Sequence, residues 1–286
     1  MRFSRLGIFF IILSTVLIGA NCSYYNQILS RKNLVDGGQA YKDRKFAEAQ
    51  QLFRDSAARS PGSTEAKMAQ LFLARTLHSE YVGNRQNTAK AEEAIEAYKK
   101  VLADNIADQS SFKAVANLLE NLNRQDEWQK WVTDRANNEQ VPAPQRAEAF
   151  TSLAAKQYSC ANEITDVEPV KKTITKGKTS EFQFTKPSDP KQFEQLKQCI
   201  ATGTDLIDKA VQLDPNSDSA WSYKANFLIQ QMRVAEMEGK NDQKESFKKQ
   251  ADEAKEKFTQ LANIKKQKQE EEDRIKAEKE AAANKK

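Results

Sequence analysis

Hydrophobic and polar positions follow one another in four regimes along the chain. Leu6–Ile18 is an apolar run, preceded by Arg2 and Arg5 and followed by the small pair Gly19-Ala20. From about residue 30 to residue 262, apolar residues recur every three or four positions, the period of helices with one buried face. Between Asn162 and Pro190 that period lapses. There Val170, Thr173, Ile174, Phe182 and Phe184 alternate around Gly177, and the pattern predicts a short β-hairpin or a mobile loop. From Lys265 onward almost nothing is apolar except Ile275. This segment predicts either a solvated extension of the last helix, supported by i,i+4 Glu/Lys pairs, or a tail that engages an acidic surface or cell-wall polymer.

Within the helical stretch the pattern repeats itself. Residues 34–61 place Gly38, Ala40 and Tyr41 in a first half, and Phe46, Ala49, Phe53 and Pro61 in a second. Residues 70–102 give Leu73-Ala74 and Leu77, then Ala94 and Tyr98, with an eight-residue excess around Tyr81–Thr88. Residues 111–138 carry Leu118, Leu119 and Leu122, then Trp128 and Trp131 three apart on one helix face, where core packing is expected. FTSLAAKQY and IDKAVQLDPNS open and close a unit spanning 147–215, split by the 162–190 insertion. Trp221, Ala225, Ala254 and Phe258 mark a last unit at 219–262.

This aromatic-and-alanine spacing resembles the tetratricopeptide repeat, a helix–turn–helix whose small residues sit where its two helices cross and whose proline ends the second helix. The resemblance implies an all-α, right-handed helical solenoid of about five helix pairs over residues 23–264. Gly38, Ala49, Ala94 and Tyr98 face inward in it, because each pair can bury its apolar side only against its neighbours. The same alignment places Cys160 and Cys199 on either side of the inter-helix turn of the interrupted unit. The two are a disulfide pair or two buried free thiols. A disulfide would close a loop worth about 4 kcal/mol in the chain-entropy picture.

Residues 1–22 have the plan of a secretory signal: a positive start, an apolar stretch and a small-residue end. Cys22 resembles the lipid-modified cysteine of bacterial lipoproteins, although Gly19 and Asn21 depart from the residues usual three and one positions before it. Lipidation at Cys22, cleavage after Ala20 and retention as a short membrane anchor remain alternatives. Each places the rest of the chain outside the cytoplasm, facing the periplasm or cell envelope, where cysteines can pair.

Composition narrows the chemistry. Nine Gly and seven Pro in 286 residues are few for a β-sandwich or barrel, and no phosphate-cradling glycine motif occurs. The single histidine, His78, leaves little for histidine-built metal sites or Ser-His and Cys-His relays. No catalytic, cofactor or metal residue is assigned. The net charge of +5 comes from 45 basic and 40 acidic residues without basic clustering before the tail, so no nucleic-acid partner is implied.

In a repeat of this kind the first helix of each pair lines a groove that takes a peptide or a partner helix. The resemblance assigns to that groove Gln39, Lys42 and Asp43, then Leu71, Arg75 and His78, then Thr151, Ala155 and Tyr158, and finally Ser222, Asn226 and Ile229. Val35 and Gln39 stand where a carboxylate-gripping variant of the repeat has Lys and Asn, so that activity is not implied. The sequence therefore implies a non-enzymatic protein-binding adaptor of the bacterial cell envelope, attached through an N-terminal anchor or lipid, with residues 265–286 as a charged tail. The alternatives are a subunit of an envelope assembly or secretion machine and, from another class, an envelope hydrolase with a helical fold.

Overall fold

The computed structural model describes residues 5–176 and 179–283, and the side chains of residues 23–175 and 180–282. The leader and Cys22 therefore lie outside the described side chains. Among the described residues the chain forms ten helices and one two-stranded sheet, divided between two compact units, 1–128 and 129–286.

The first unit holds α1 (Arg5–Lys42), α2 (Phe46–Arg59), α3 (Thr64–Gly83), α4 (Thr88–Asp104), α5 (Gln109–Asn121) and the start of α6 (Gln125–Asn137). α1 turns into α2 over three residues. Arg44 adopts a left-handed φ of 61° there, and the Lys45 N–H donates back to the Ala40 carbonyl at 2.9 Å. So short a link makes the helices antiparallel, and reciprocal hydrogen bonds confirm it: the Ser30 hydroxyl donates to the Ser56 carbonyl at 2.8 Å, and the Ser56 hydroxyl to the Ser30 carbonyl at 2.7 Å. Ala40, Ala49, Phe53 and Ala69 form the core at this crossing. The glycine that admits Phe53 is Gly37, where a Cβ would stand 2.7 Å from the ring. Gly38, expected at this place, has nothing within 4 Å of its Cβ direction, because one residue turns a helix by about 100°.

Side-chain oxygens cap the next first helices. Ser63 accepts from the Ala66 N–H at 3.1 Å, and Asp108 from the Ser111 N–H at 2.7 Å, satisfying donors that the first helical turn leaves free. α1 and α3 run parallel, joined by a 2.9 Å hydrogen bond between the Tyr41 and Ser79 hydroxyls. The excess expected around Tyr81–Thr88 is not a long loop: α3 continues to Gly83, leaving residues 84–87 as the link.

The second unit holds the rest of α6, then α7 (Ala143–Thr165), β1 (Lys171–Lys176), β2 (Thr179–Phe184), α8 (Pro190–Leu213), α9 (Asp218–Met237) and α10 (Asn241–Ala283). The insertion is the hairpin, antiparallel, with Lys171 opposite Phe184 and Thr173 opposite Phe182. It is anchored because Val170 and Phe184 join a core of Ala161, Phe193, Leu196 and Ile200. A disulfide joins Cys160 of α7 to Cys199 of α8, with Cα atoms 6.2 Å apart. α8 and α9 are antiparallel, with Lys224 on Asp208 at 2.9 Å and Gln231 on Thr204 at 3.2 Å. At the DPNS junction the Trp221 indole donates to the Pro215 carbonyl at 2.9 Å, and Ser217 caps α9. α7 and α9 are parallel, since Tyr158 meets Tyr223 and Phe227 while Asn162 meets Gln230. α10 packs back on α9 through Ala225, Leu228, Ala251 and Ala254, then runs on, exposed, from residue 265.

Within the first unit α1 is antiparallel to α2 and parallel to α3, and within the second α8 is antiparallel to α9 and α7 parallel to it. The fold is all-α and tetratricopeptide-like, with five successive helix pairs in chain order, a small hairpin and a helical tail.

Candidate partner-binding surface

On α1 and α3 the exposed face is defined by a seven-residue step, two helical turns, which returns a side chain to nearly the same direction. Ile28, Val35 and Lys42 form one such row, and Met68, Arg75 and Val82 the other. The four apolar members are 49%, 64%, 45% and 50% exposed in chain order, far more than residues of the packed faces. Lys42 and Arg75 put a positive charge in each row, and the Arg75 guanidinium lies over the Phe72 ring at 5.5 Å. The two rows stand on neighbouring parallel helices, each with two exposed apolar side chains and one cation.

The groove candidates distribute unevenly. Gln39 is exposed on α1 and donates to Asp43 at 3.0 Å. Leu71 is half-buried on α3. His78 is drawn into the seam with α4, its ring edge-on to Tyr98 at 5.9 Å and its Nδ1 3.4 Å from the Tyr98 hydroxyl. Burial, helped by the charge of Arg85, holds the His78 imidazole below its ordinary pKa. Burial also pushes the Tyr98 phenol up to about 12, against the pull of Arg75.

In the second unit Thr151 is buried and its hydroxyl donates to the Ala147 carbonyl at 2.8 Å. Tyr158 lies in the α7–α9 seam, edge-on to Tyr223 and Phe227 at 5.9 Å each. Ala155, Ser222, Asn226 and Ile229 are half-buried, Ile229 against the α9–α10 core.

Arg233 was missed by sequence reasoning. It continues the row of Ser222, Asn226 and Ile229 by one more helical turn, and that spacing was the available signal. Its guanidinium lies over Phe184 at 4.4 Å, and Nη1 donates to Thr165 Oγ1 at 3.2 Å. The Thr165 hydroxyl belongs to a chain that continues to Gln230 at 3.3 Å and on to Asn162 at 2.6 Å. Burial lowers the Arg233 pKa, opposed by Tyr158 and Asp166.

A cavity of about 200 Å³ opens among α8, α9 and α10, with Ile200, Val234, Ala235 and Phe247 as its apolar lining and Lys197 and Glu238 as its charges. Among the described residues no group of His, Cys, Asp and Glu is arranged to hold a metal, and no helix is long and apolar enough to cross a membrane.

No family model matches the chain, and no curated protein matches it in sequence. Solved structures similar to it include the MamA RS-1 ArsTM double mutant, at 13% identity and a TM-score of 0.39, covering 82% of this chain and 96% of that one. PilF of Pseudomonas aeruginosa is also similar, at 13% identity and 0.38, covering 84% and 99%. So is a tetratricopeptide repeat protein of Parabacteroides merdae, at 9% identity and 0.34, covering 82% and 98%.

Proposed function

We propose that the protein is a non-enzymatic adaptor that binds a protein partner on the exposed faces of its first helices, outside the cytoplasm in a bacterial cell envelope. The observation that carries this reading is the double row Ile28–Val35–Lys42 and Met68–Arg75–Val82. Apolar side chains left in water beside unburied cations suit a partner segment that is apolar with acidic flanks. The envelope location is supported by the signal-like residues 1–22 and by the Cys160–Cys199 disulfide, a bond that persists in oxidising compartments.

The test is paired. Partners are recovered by co-purification from detergent-solubilised membranes and identified by mass spectrometry. Retention on immobilised protein is then compared for Lys42→Ala with Arg75→Ala, for Val35→Asp with Met68→Asp, and for the core variant Phe53→Ala. The reading expects both surface variants to keep wild-type helicity and lose the partner, and Phe53→Ala to lose both. Full retention by the two folded surface variants would move recognition elsewhere.

A further inference from the structure

Ser30 is the first buried residue of α1 among its described side chains, and residues 23–29 before it are exposed or half-buried. In that stretch Tyr24 and Tyr25 are 67% and 61% exposed, the two most exposed aromatic side chains among the described residues. Neighbours on a helix point about 100° apart, so the pair covers a wide sector of its girth. A tyrosine that serves the fold is packed with its hydroxyl on a partner, as Tyr41 is on Ser79. α1 runs unbroken from Arg5 to Lys42, with no Gly or Pro between Gly19 and Gly37 to kink it. Along it the sequence is apolar as far as Ala20, aromatic at Tyr24 and Tyr25, and charged at Arg31 and Lys32. That is the order in which a bilayer presents hydrocarbon, interface and water. The rise from Ala20 to Tyr24 is about 6 Å, which matches a headgroup layer about 5–8 Å deep. Lipidation of Cys22 would bring acyl chains equally near, two residues from Tyr24.

We propose that Tyr24 and Tyr25 form a collar that seats the first helix pair in the headgroup layer of a phospholipid bilayer. Tyrosine suits that layer because its ring is apolar and its hydroxyl is wet. The end of α2 completes the seat. The bonds between Ser30 and Ser56 set the two antiparallel helices level, so Arg59, three residues past Ser56, stands level with Gln27. The link at residues 60–63, turned by Gly62 at a φ of 80°, then lies beside the collar. Arg59 is exposed, and its long stem lets the guanidinium reach a headgroup phosphate. Glu65, in the first turn of α3, opposes an anionic surface, so the tyrosines carry the contact and Arg59 adds to it. The inference rests on the envelope part of the adaptor reading and deepens it. Ile28 rises about 6 Å and Lys42 about 27 Å above Tyr24 along α1, so a partner on that row is met close to the membrane.

The experiment uses the full chain, reconstituted into vesicles of phosphatidylethanolamine and phosphatidylglycerol. The vesicles include a phospholipid with a photoactivatable diazirine beside its headgroup. After irradiation and proteolysis, mass spectrometry maps the lipid-labelled segments. The expected result is label at Tyr24–Tyr25 and at residues 59–63, and none at residues 84–87, which link α3 to α4 at the far end of the parallel helices α1 and α3. Tyr24→Asp with Tyr25→Asp, at exposed positions, should keep wild-type helicity by circular dichroism and reduce the label at 59–63 to the level of 84–87. Tyr24→Trp with Tyr25→Trp should keep it. Absence of label at Tyr24–Tyr25, equal label at 84–87, or unchanged label at 59–63 in the folded aspartate variant overturns the proposal, as does loss of that label in the tryptophan variant. No protein partner enters the measurement, so its failure leaves partner binding to its own test, and failure to recover a partner leaves the lipid contact to this one.

Discussion

The ring of Phe227 on α9 occupies the space where a Cβ on residue 203 of α8 would stand, so glycine at 203 is what lets the two helices close. Gln157 Cβ, on α7, lies 3.0 Å from the same point, so the gap is bounded on two sides. Gly37 and Phe53 repeat the relationship between α1 and α2.

Gly203→Ala is therefore expected to destabilise the fold by about 1–3 kcal/mol through overpacking, although alanine is the better helix former. Gly38→Ala, with open space at its Cβ, is expected to stabilise by about 0.5–1 kcal/mol. Urea unfolding of both variants reads the opposite signs. Equal behaviour would mean that the Phe227 contact is not tight.

Removing the disulfide by Cys160→Ala with Cys199→Ala should cost about 2–4 kcal/mol, since the bond spans 39 residues and restricts the unfolded chain. Alkylation of the denatured protein without reductant should label neither cysteine. Labelling of both would refute the bond in the isolated protein.

His78 lies below its ordinary value of 6.5 because it is buried and faces the charge of Arg85. The unfolded chain therefore takes up the proton more readily, so the contribution of neutral His78 is complete above pH 6.5 and declines as pH falls toward the lowered folded value. Unfolding free energy measured from about pH 7.5 to about pH 5.5 should fall in the wild type. The decline should be smaller in His78→Gln. An identical slope in the two proteins would remove His78 as its source.

Arg233→Met replaces a half-buried guanidinium whose Nε–H meets no acceptor among the described residues by an apolar chain of similar length. Stability should stay within about 0.5 kcal/mol of wild type or rise, because burying part of a charge costs desolvation that one hydrogen bond and a ring contact offset only in part. A loss of several kcal/mol by thermal or urea unfolding would make Arg233 a structural residue instead.

Much of the fold was legible from one dimension because its causes are local. The spacing of Ala49, Phe53, Ala94 and Tyr98 gave the buried faces, and all four are buried. The DPNS junction gave a helix boundary, since proline and a serine cap act within one turn. The candidate surface was less legible. Lys42 and Arg75 are on the exposed rows, but His78 and Tyr158 sit in seams, because a position midway between two helix faces is assigned only when its neighbour is in place. Gly38 was preferred to Gly37 for the same reason: either glycine suits a close crossing, and the angle at which α2 arrives selects one.

By itself the sequence determined that this chain is helical, paired and repeated, with an insertion of strand character between Cys160 and Cys199. Period, caps and small residues act over a few positions, so they are written where they work. Only the tertiary structure decided that the insertion closes as a hairpin, that its Phe184 lands on Arg233, and that the buried Arg233 Nε–H meets no acceptor among the described residues. Those depend on groups tens of residues apart meeting in space, and a donor left without an acceptor is visible only once the groups that could have accepted from it have been placed.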